Sequence, residues 1–389
     1  MVIHLKRTIV LFVVSALMAA LTLPASAAAE TKNEPIIISA KAAIVTDADS
    51  GTTLFAKNAD EQMKIASTTK ILTALIAIER CDPDETVVIK REWTGIEGSS
   101  MYLVPGERLT VRDLLYGVLL VSGNDAAVAL ACHTAGSVRE FARLMNRRAT
   151  ELGCENSGFA NPNGLDEDGH YSTARDLAVI TAAAMSNATF AEIAGTKETS
   201  AAGRAFRNHN RLLWELPGAL GVKTGFTKSS GRSLVSCVRR GDFTLICVTL
   251  NDPNDWADHT ALYNWAFEAH TRVTIRRGEE IGALIPVISG VKPIVRLAAG
   301  AERTFIYRRG GNYDVSVNAP PFAYAVVVKG ARAGELVIKR DGTDAARVPL
   351  MYAETVRRNE TEKLTFWEKI KRAWYAANKY GAYRRMYYW

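Results

Sequence analysis

Ile65-Ala66-Ser67-Thr68-Thr69-Lys70-Ile71-Leu72-Thr73-Ala74 sets a serine three residues before a lysine at the opening of an apolar-periodic segment. The pattern predicts a helix from Ile65 to Glu79, on which Ser67 and Lys70 share one face. Working outward, Ala42–Thr46, the turn Asp47–Gly51 and Thr52–Phe55 read as a hairpin. Helical patterns follow over 110–121, 124–135, 137–152 and 173–186, with Ser137 and Glu140 at the spacing of a capping box. Two β-rich runs, Ser233–Val238 and Phe243–Leu250, flank the hairpin signal Arg239-Arg240-Gly241-Asp242, and a helix over Trp256–His270 closes the segment. Strands at both ends with helices between predict an α/β (α+β) fold, an antiparallel sheet flanked by helices. Residues 276–352 change character to short alternating runs broken by Gly and Pro, the pattern of a small all-β domain.

Three motifs carry the chemistry. An alcohol is a weak nucleophile at neutral pH and needs an adjacent base, which a desolvated Lys70 near a second cation would supply to Ser67. The helix N-terminus would add backbone N–H groups and a positive dipole end beside the developing oxyanion. Ser122-Gly123-Asn124 breaks an apolar stretch, Leu114–Val121 and Ala126–Ala131, and a polar break between buried helices has backbone groups to satisfy. Ser122 would relay a proton to the leaving amine, while Asn124 would bond Lys70 and a substrate amide. Lys223-Thr224-Gly225 precedes the hairpin, where Lys223 and Thr224 would bind a substrate carboxylate. Gly225 would let the substrate backbone lie against the strand, and the N–H groups of Phe226 and Ser67 would form an oxyanion hole. Each motif is common alone; the ordered triple is not.

This ordered set is a signature of serine penicillin-binding proteins and class A β-lactamases. The surrounding residues resemble more narrowly the D-alanyl-D-alanine carboxypeptidases, the low-molecular-mass penicillin-binding proteins. The resemblance spans nearly the whole chain after residue 29. It rests on the three motifs and on Asn161-Pro162-Asn163-Gly164-Leu165, Thr173-Ala174-Arg175-Asp176 and Gly221-Val222-Lys223-Thr224-Gly225-Phe226-Thr227. It implies a β-lactamase/transpeptidase-like fold and an acyl-enzyme on Ser67, formed by loss of the terminal D-Ala of a peptidoglycan stem pentapeptide. It further implies Lys70 as base, Ser122 as proton shuttle, Lys223 as carboxylate partner, and β-lactam antibiotics as acylating inhibitors. One departure stands out. Some members carry an Arg after the second hairpin strand, whereas Asn251–His259 contains none, which leaves Lys223, Thr224 and either Thr227 or His259 for the carboxylate, although His259 reads more readily as a capping or core histidine. A β-lactamase would need a Glu-held water, for which Glu155 and Glu167 stand in no recognisable context. A D,D-endopeptidase would use the same residues, and a wall-binding protein with an inactive site is the non-enzymatic alternative.

Lys6 and Arg7, the apolar run Ile9–Leu23 and Ala25-Ser26-Ala27 read as a signal peptide over residues 1–29, placing the protein outside the cytoplasmic membrane in the cell-wall compartment. The net charge of +7 sits at the two ends. Of 48 basic residues two precede residue 30 and seven follow residue 360, against two of the 41 acids, so the 331 residues between carry 39 of each. A nucleic-acid partner is therefore not expected. The domains read as a catalytic domain over 30–275, the β-rich domain over 276–352, and a tail over 353–389. In that tail Leu364, Trp367, Ile370, Trp374, Ala377 and Gly381 share one helical face opposite Arg372, Tyr375 and Lys379, which suits a membrane surface. The five cysteines are odd in number and unpatterned; Cys132, Cys237 and Cys247 read as buried. No cofactor or metal site is expected, because the six His lack paired ligand spacing.

Overall fold

Phe243–Leu250 is apolar on nearly every residue, as a strand is when both of its faces are covered. In the computed structural model, which describes residues 36–360 and 365–381, this run lies inside a five-stranded antiparallel sheet. The strands are β1 (Ala42–Asp47), β2 (Thr53–Lys57), β3 (Ala219–Thr227), β4 (Gly231–Arg240) and β5 (Phe243–Leu250), in spatial order β2-β1-β5-β4-β3. The expected hairpin over 42–56 is β1–β2. The other edge of β1 pairs with β5, setting Ile44 opposite Val248 and Val45 opposite Cys247.

Successive side chains of a strand point to opposite faces. Ile44, Val235, Ile246 and Val248 enter the core shared with the helices α1 (Lys70–Arg80), α2 (Val111–Leu119), α3 (Asn124–Ala135), α4 (Val138–Glu151), α5 (Ala174–Met185) and α6 (Ala188–Gly195). The neighbours Ser236 and Thr249 meet α7 (Asp255–Ala269) instead. His259 of α7 bonds Ser236 Oγ through Nδ1 (2.7 Å) and Thr249 Oγ1 through Nε2 (3.0 Å), and Tyr263 OH bonds the same serine (2.8 Å). His259 is thus a fully buried core residue with both ring nitrogens engaged, and it is not available to a substrate carboxylate.

Local chemistry sets the helix starts. Thr110 and Asp113 form a complete capping box on α2, and Thr173 caps α5 by accepting the Asp176 N–H at 3.0 Å. Ser137 accepts the Glu140 N–H, half of the box expected on α4, while the Glu140 carboxylate pairs with Arg143. The segment Ile65–Glu79 is not one helix: Ala66–Thr69 is a 3-10 turn and α1 begins at Lys70. All five cysteines are free; Cys237 and Cys247 are buried, but Cys132 is only half-buried.

The chain divides into two compact units at Ala269; His270–Ile275 pairs with Arg303–Arg308 and not with the five-stranded sheet. The second unit contains a six-stranded sheet over a core that includes Ile285, Val295, Leu297, Val348 and Leu350. It also contains the helix α8 (Phe366–Gly381). The signal peptide expected over 1–29 and Leu364 of the tail lie outside the described residues, as do the side chains of Arg372, Ala377 and Lys379.

Ile44 is fully buried on β1, opposite Val248 of the central strand. Ile44→Ala is expected to cost about 2–5 kcal/mol, read as a lower urea midpoint at unchanged slope.

Candidate active site

The three motifs converge. Thr68 Oγ1 donates to the Ile65 carbonyl (2.7 Å) and Thr69 Oγ1 to that of Ala66 (2.8 Å), closing the turn that carries Ser67 just ahead of α1. Ser67 stays half-exposed while Lys70, three residues on, is fully buried. Lys70 Nζ donates to Ser67 Oγ (2.8 Å), to Asn124 Oδ1 (2.6 Å) and to the backbone carbonyl of Asn163 (2.6 Å). Burial first, and then the charge of Lys223, holds its pKa well below the usual lysine value, with Asp125 opposing.

Ser122 is buried in a left-handed conformation (φ 62°), the sharp link between α2 and α3. Asn124 opens α3. Its Nδ2 donates to the Glu97 carbonyl (2.5 Å), so one amide proton expected to be free for substrate is already used. Asp125 is buried behind it and accepts from Ser100 Oγ (2.7 Å) and the N–H groups of Met101 (2.8 Å) and Leu103 (3.0 Å). One carboxylate therefore pins the 100–103 segment beside the second motif.

Lys223 is buried on β3 with Nζ on the Thr224 carbonyl (2.8 Å), and burial brings its pKa down to about 7. Gly225 faces the nucleophile turn so closely that a Cβ there would lie 3.2 Å from Ser67 N and 3.1 Å from Thr68 N. A side chain there would require the strand or the turn to give by a few tenths of an ångström. Thr224 is half-buried and Phe226 stands 65% exposed at the rim. Thr227 is engaged with Ser230, its Oγ1 bonding Ser230 Oγ at 2.9 Å. Glu155 is exposed and Glu167 accepts from Asn161 Nδ2 (2.9 Å); among the described residues neither bonds Ser67 or Lys70.

A family model described as D-alanyl-D-alanine carboxypeptidase matches residues 28–254. The chain belongs to this family. The carboxypeptidase is 31% identical to the D-alanyl-D-alanine carboxypeptidase DacF of Bacillus subtilis over 335 residues, covering 82% of this chain and 86% of that one. It is 34% identical to DacC of Escherichia coli over 353 residues, covering 86% and 88%. The crystal structure of penicillin binding protein 5 from Haemophilus influenzae superposes with a TM-score of 0.68 at 29% identity, over 83% of this chain and 99% of that one. Its mixed fold, antiparallel sheet with flanking helices, is that of these relatives, and it is a serine-type D-Ala-D-Ala carboxypeptidase.

Two contributors to the carboxypeptidase site escape a side-chain reading of the sequence. One is the Asn163 carbonyl, a backbone group. The turn signature Asn161-Pro162-Asn163-Gly164 is its signal: Gly164 is left-handed (φ +86°), and a Cβ there would sit 2.0 Å from the Ala66 carbonyl oxygen. The other is His170. Its Nδ1 accepts the Ala160 N–H (3.1 Å), so its Nε2–H donates to Thr69 Oγ1 (2.8 Å) inside the first motif. Burial lowers its pKa to about 4, helped slightly by Lys70 and opposed by Glu167 and Asp166.

Between about pH 4 and 6.5 His170 is neutral when folded and protonated when unfolded, so its contribution to stability is complete above about 6.5 and lost as pH falls. The stability difference between wild type and His170→Gln is expected to shrink by about 1.4 kcal/mol per pH unit across that window. Urea midpoints at a series of pH values measure it; a pH-independent difference would mean that His170 is not buried in its neutral form.

Proposed function

We propose that this carboxypeptidase releases the terminal D-alanine of peptidoglycan stem pentapeptides with Ser67 as nucleophile. The observation that carries the reading is the buried Lys70 Nζ 2.8 Å from a half-exposed Ser67 Oγ. A lysine whose pKa is depressed this far holds a neutral fraction able to take the Ser67 proton. Oγ then bonds the scissile carbonyl carbon, and the oxyanion is received by the N–H groups of Ser67 and Phe226. As the C–N bond breaks, Ser122 passes a proton to the departing D-Ala amine, and water later resolves the acyl-enzyme. Lys223 and Thr224 take the substrate carboxylate, Asn124 positions Lys70, and Gly225 leaves the strand edge open to the substrate backbone. Penicillins would acylate the same serine, in keeping with the name of the Haemophilus relative.

With residues 30–389 and a Lys-D-Ala-D-Ala peptide, wild type should release D-Ala and Ser67→Ala should neither release it nor be labelled by a fluorescent penicillin. Lys70→Met should lose roughly 10²–10⁴-fold in kcat. Full release by Ser67→Ala would remove Ser67 from the mechanism.

The protein acts outside the cytoplasm, on the outer face of the membrane. Among the described residues no single helix is long and apolar enough to cross a membrane. Helix α8 exposes Trp367 (75%) and Trp374 (64%), which fits a helix lying in an anionic lipid surface. Flotation with phosphatidylglycerol vesicles should carry the protein up. The double change Trp367→Ser, Trp374→Ser should leave it at the bottom, and equal flotation of both would argue against α8 as the contact.

A further inference from the structure

Helices α1 and α3 do more than start at the active site. Each opens on one of its residues, Lys70 and Asn124, and their far ends meet. Cys81 follows the last residue of α1, His133 and Thr134 lie in the last turn of α3, and Cys81 Sγ is 3.4 Å from Thr134 Oγ1. Glu85 comes from the loop after α1, with Oε1 3.1 Å from His133 Nε2. The ligand atoms of Cys81, Glu85 and His133 all lie within 4.8 Å of one another.

We propose that these three side chains form a binding site for a zinc-type divalent cation that ties the C-terminal ends of α1 and α3 together. A thiolate, an imidazole and a carboxylate are borderline-soft donors that suit zinc, and water would complete a tetrahedron. Bond lengths of about 2.0–2.3 Å put neighbouring donors of such a tetrahedron roughly 3.3–3.7 Å apart. The Glu85–His133 separation is already at that scale, and half-exposed side chains can close the rest by rotation. The site also lies at two helix C-termini, where the helix dipoles favour positive charge. Arg80, next to Cys81 in the chain, works in the other direction, and the balance is what the experiment reads.

The simpler reading is a half-exposed Glu85–His133 ion pair beside an unrelated cysteine. Such a pair is worth no more than about 1 kcal/mol and has no use for the thiol. A bound cation requires it, and the Cys81 proton then leaves to solvent as the sulfur–metal bond forms. Because α1 rises about 1.5 Å per residue, the site lies roughly 16 Å from Lys70, too far to join the chemistry. Its effect would be to fix the pair of helices that present Lys70 and Asn124, raising stability while D-Ala release by the unloaded enzyme continues.

The test uses residues 30–389, stripped with chelator and reloaded with cobalt(II) as the probe. Wild type should show sulfur-to-cobalt charge-transfer absorption at one cobalt per chain, displaced by zinc, and zinc should raise its Tm by several degrees. Cys81→Ser should lose the absorption. Glu85→Gln and His133→Gln should bind zinc at least about tenfold more weakly, with fluorescent-penicillin labelling reporting that each variant is folded. Absence of the absorption in folded wild type overturns the proposal. So does retention of it in Cys81→Ser, or a zinc affinity unchanged in both Glu85→Gln and His133→Gln.

Discussion

A lysine nitrogen withdrawn from water must find its partners in the protein, and Lys70 finds three: Ser67 from its own motif, and Asn124 and the Asn163 carbonyl from two distant stretches of chain. The rest of the site is arranged around that requirement. The 3-10 turn puts Ser67 beside the nitrogen, the left-handed Ser122 delivers Asn124 at the start of α3, and Gly164 lets the 161–165 loop press its backbone against the first motif. Removing any of the three acceptors would leave a buried donor unsatisfied, at a cost of about 1–3 kcal/mol.

The same burial governs the electrostatics. Burial, and then the charge of Lys223, disfavours the charged form of Lys70, with the Asp125 carboxylate offsetting part of this, while burial alone brings Lys223 down. That carboxylate also accepts three hydrogen bonds from the 100–103 segment. The charge that moderates the lysine and the geometry that closes the cleft thus reside in one residue.

Much of this was legible in the sequence, because the motifs are short and each sits where one type of element begins. Ser67, Lys70, Ser122, Asn124, Lys223 and Gly225 are side chains or glycines at fixed local spacing, and the strand runs are apolar enough to announce a sheet covered on both faces. What escaped was long-range or backbone. The Asn163 carbonyl is a backbone group, signalled only by the turn residues around it, and the pairing of β1 with β5 joins segments some two hundred residues apart. The role of His170 was hidden for a related reason: a histidine is read by its neighbours in space, and its own are the Thr69 hydroxyl and the Ala160 N–H from other stretches of chain. The meeting of Cys81, Glu85 and His133 required the crossing of two helix ends, which no spacing encodes.

The pairing of β1 with β5 also orders events in time. A two-stranded hairpin alone is marginal in water. Until Phe243–Leu250 has been made, β1 has no second neighbour, and the segment that follows it, with Ser67, has no sheet to lean on. Contacts of such sequence separation form slowly. A nascent chain shorter than about residue 250 therefore carries its nucleophile on an unanchored segment, open to proteases and chaperones, and the active site comes into being only when nearly the whole first unit has emerged.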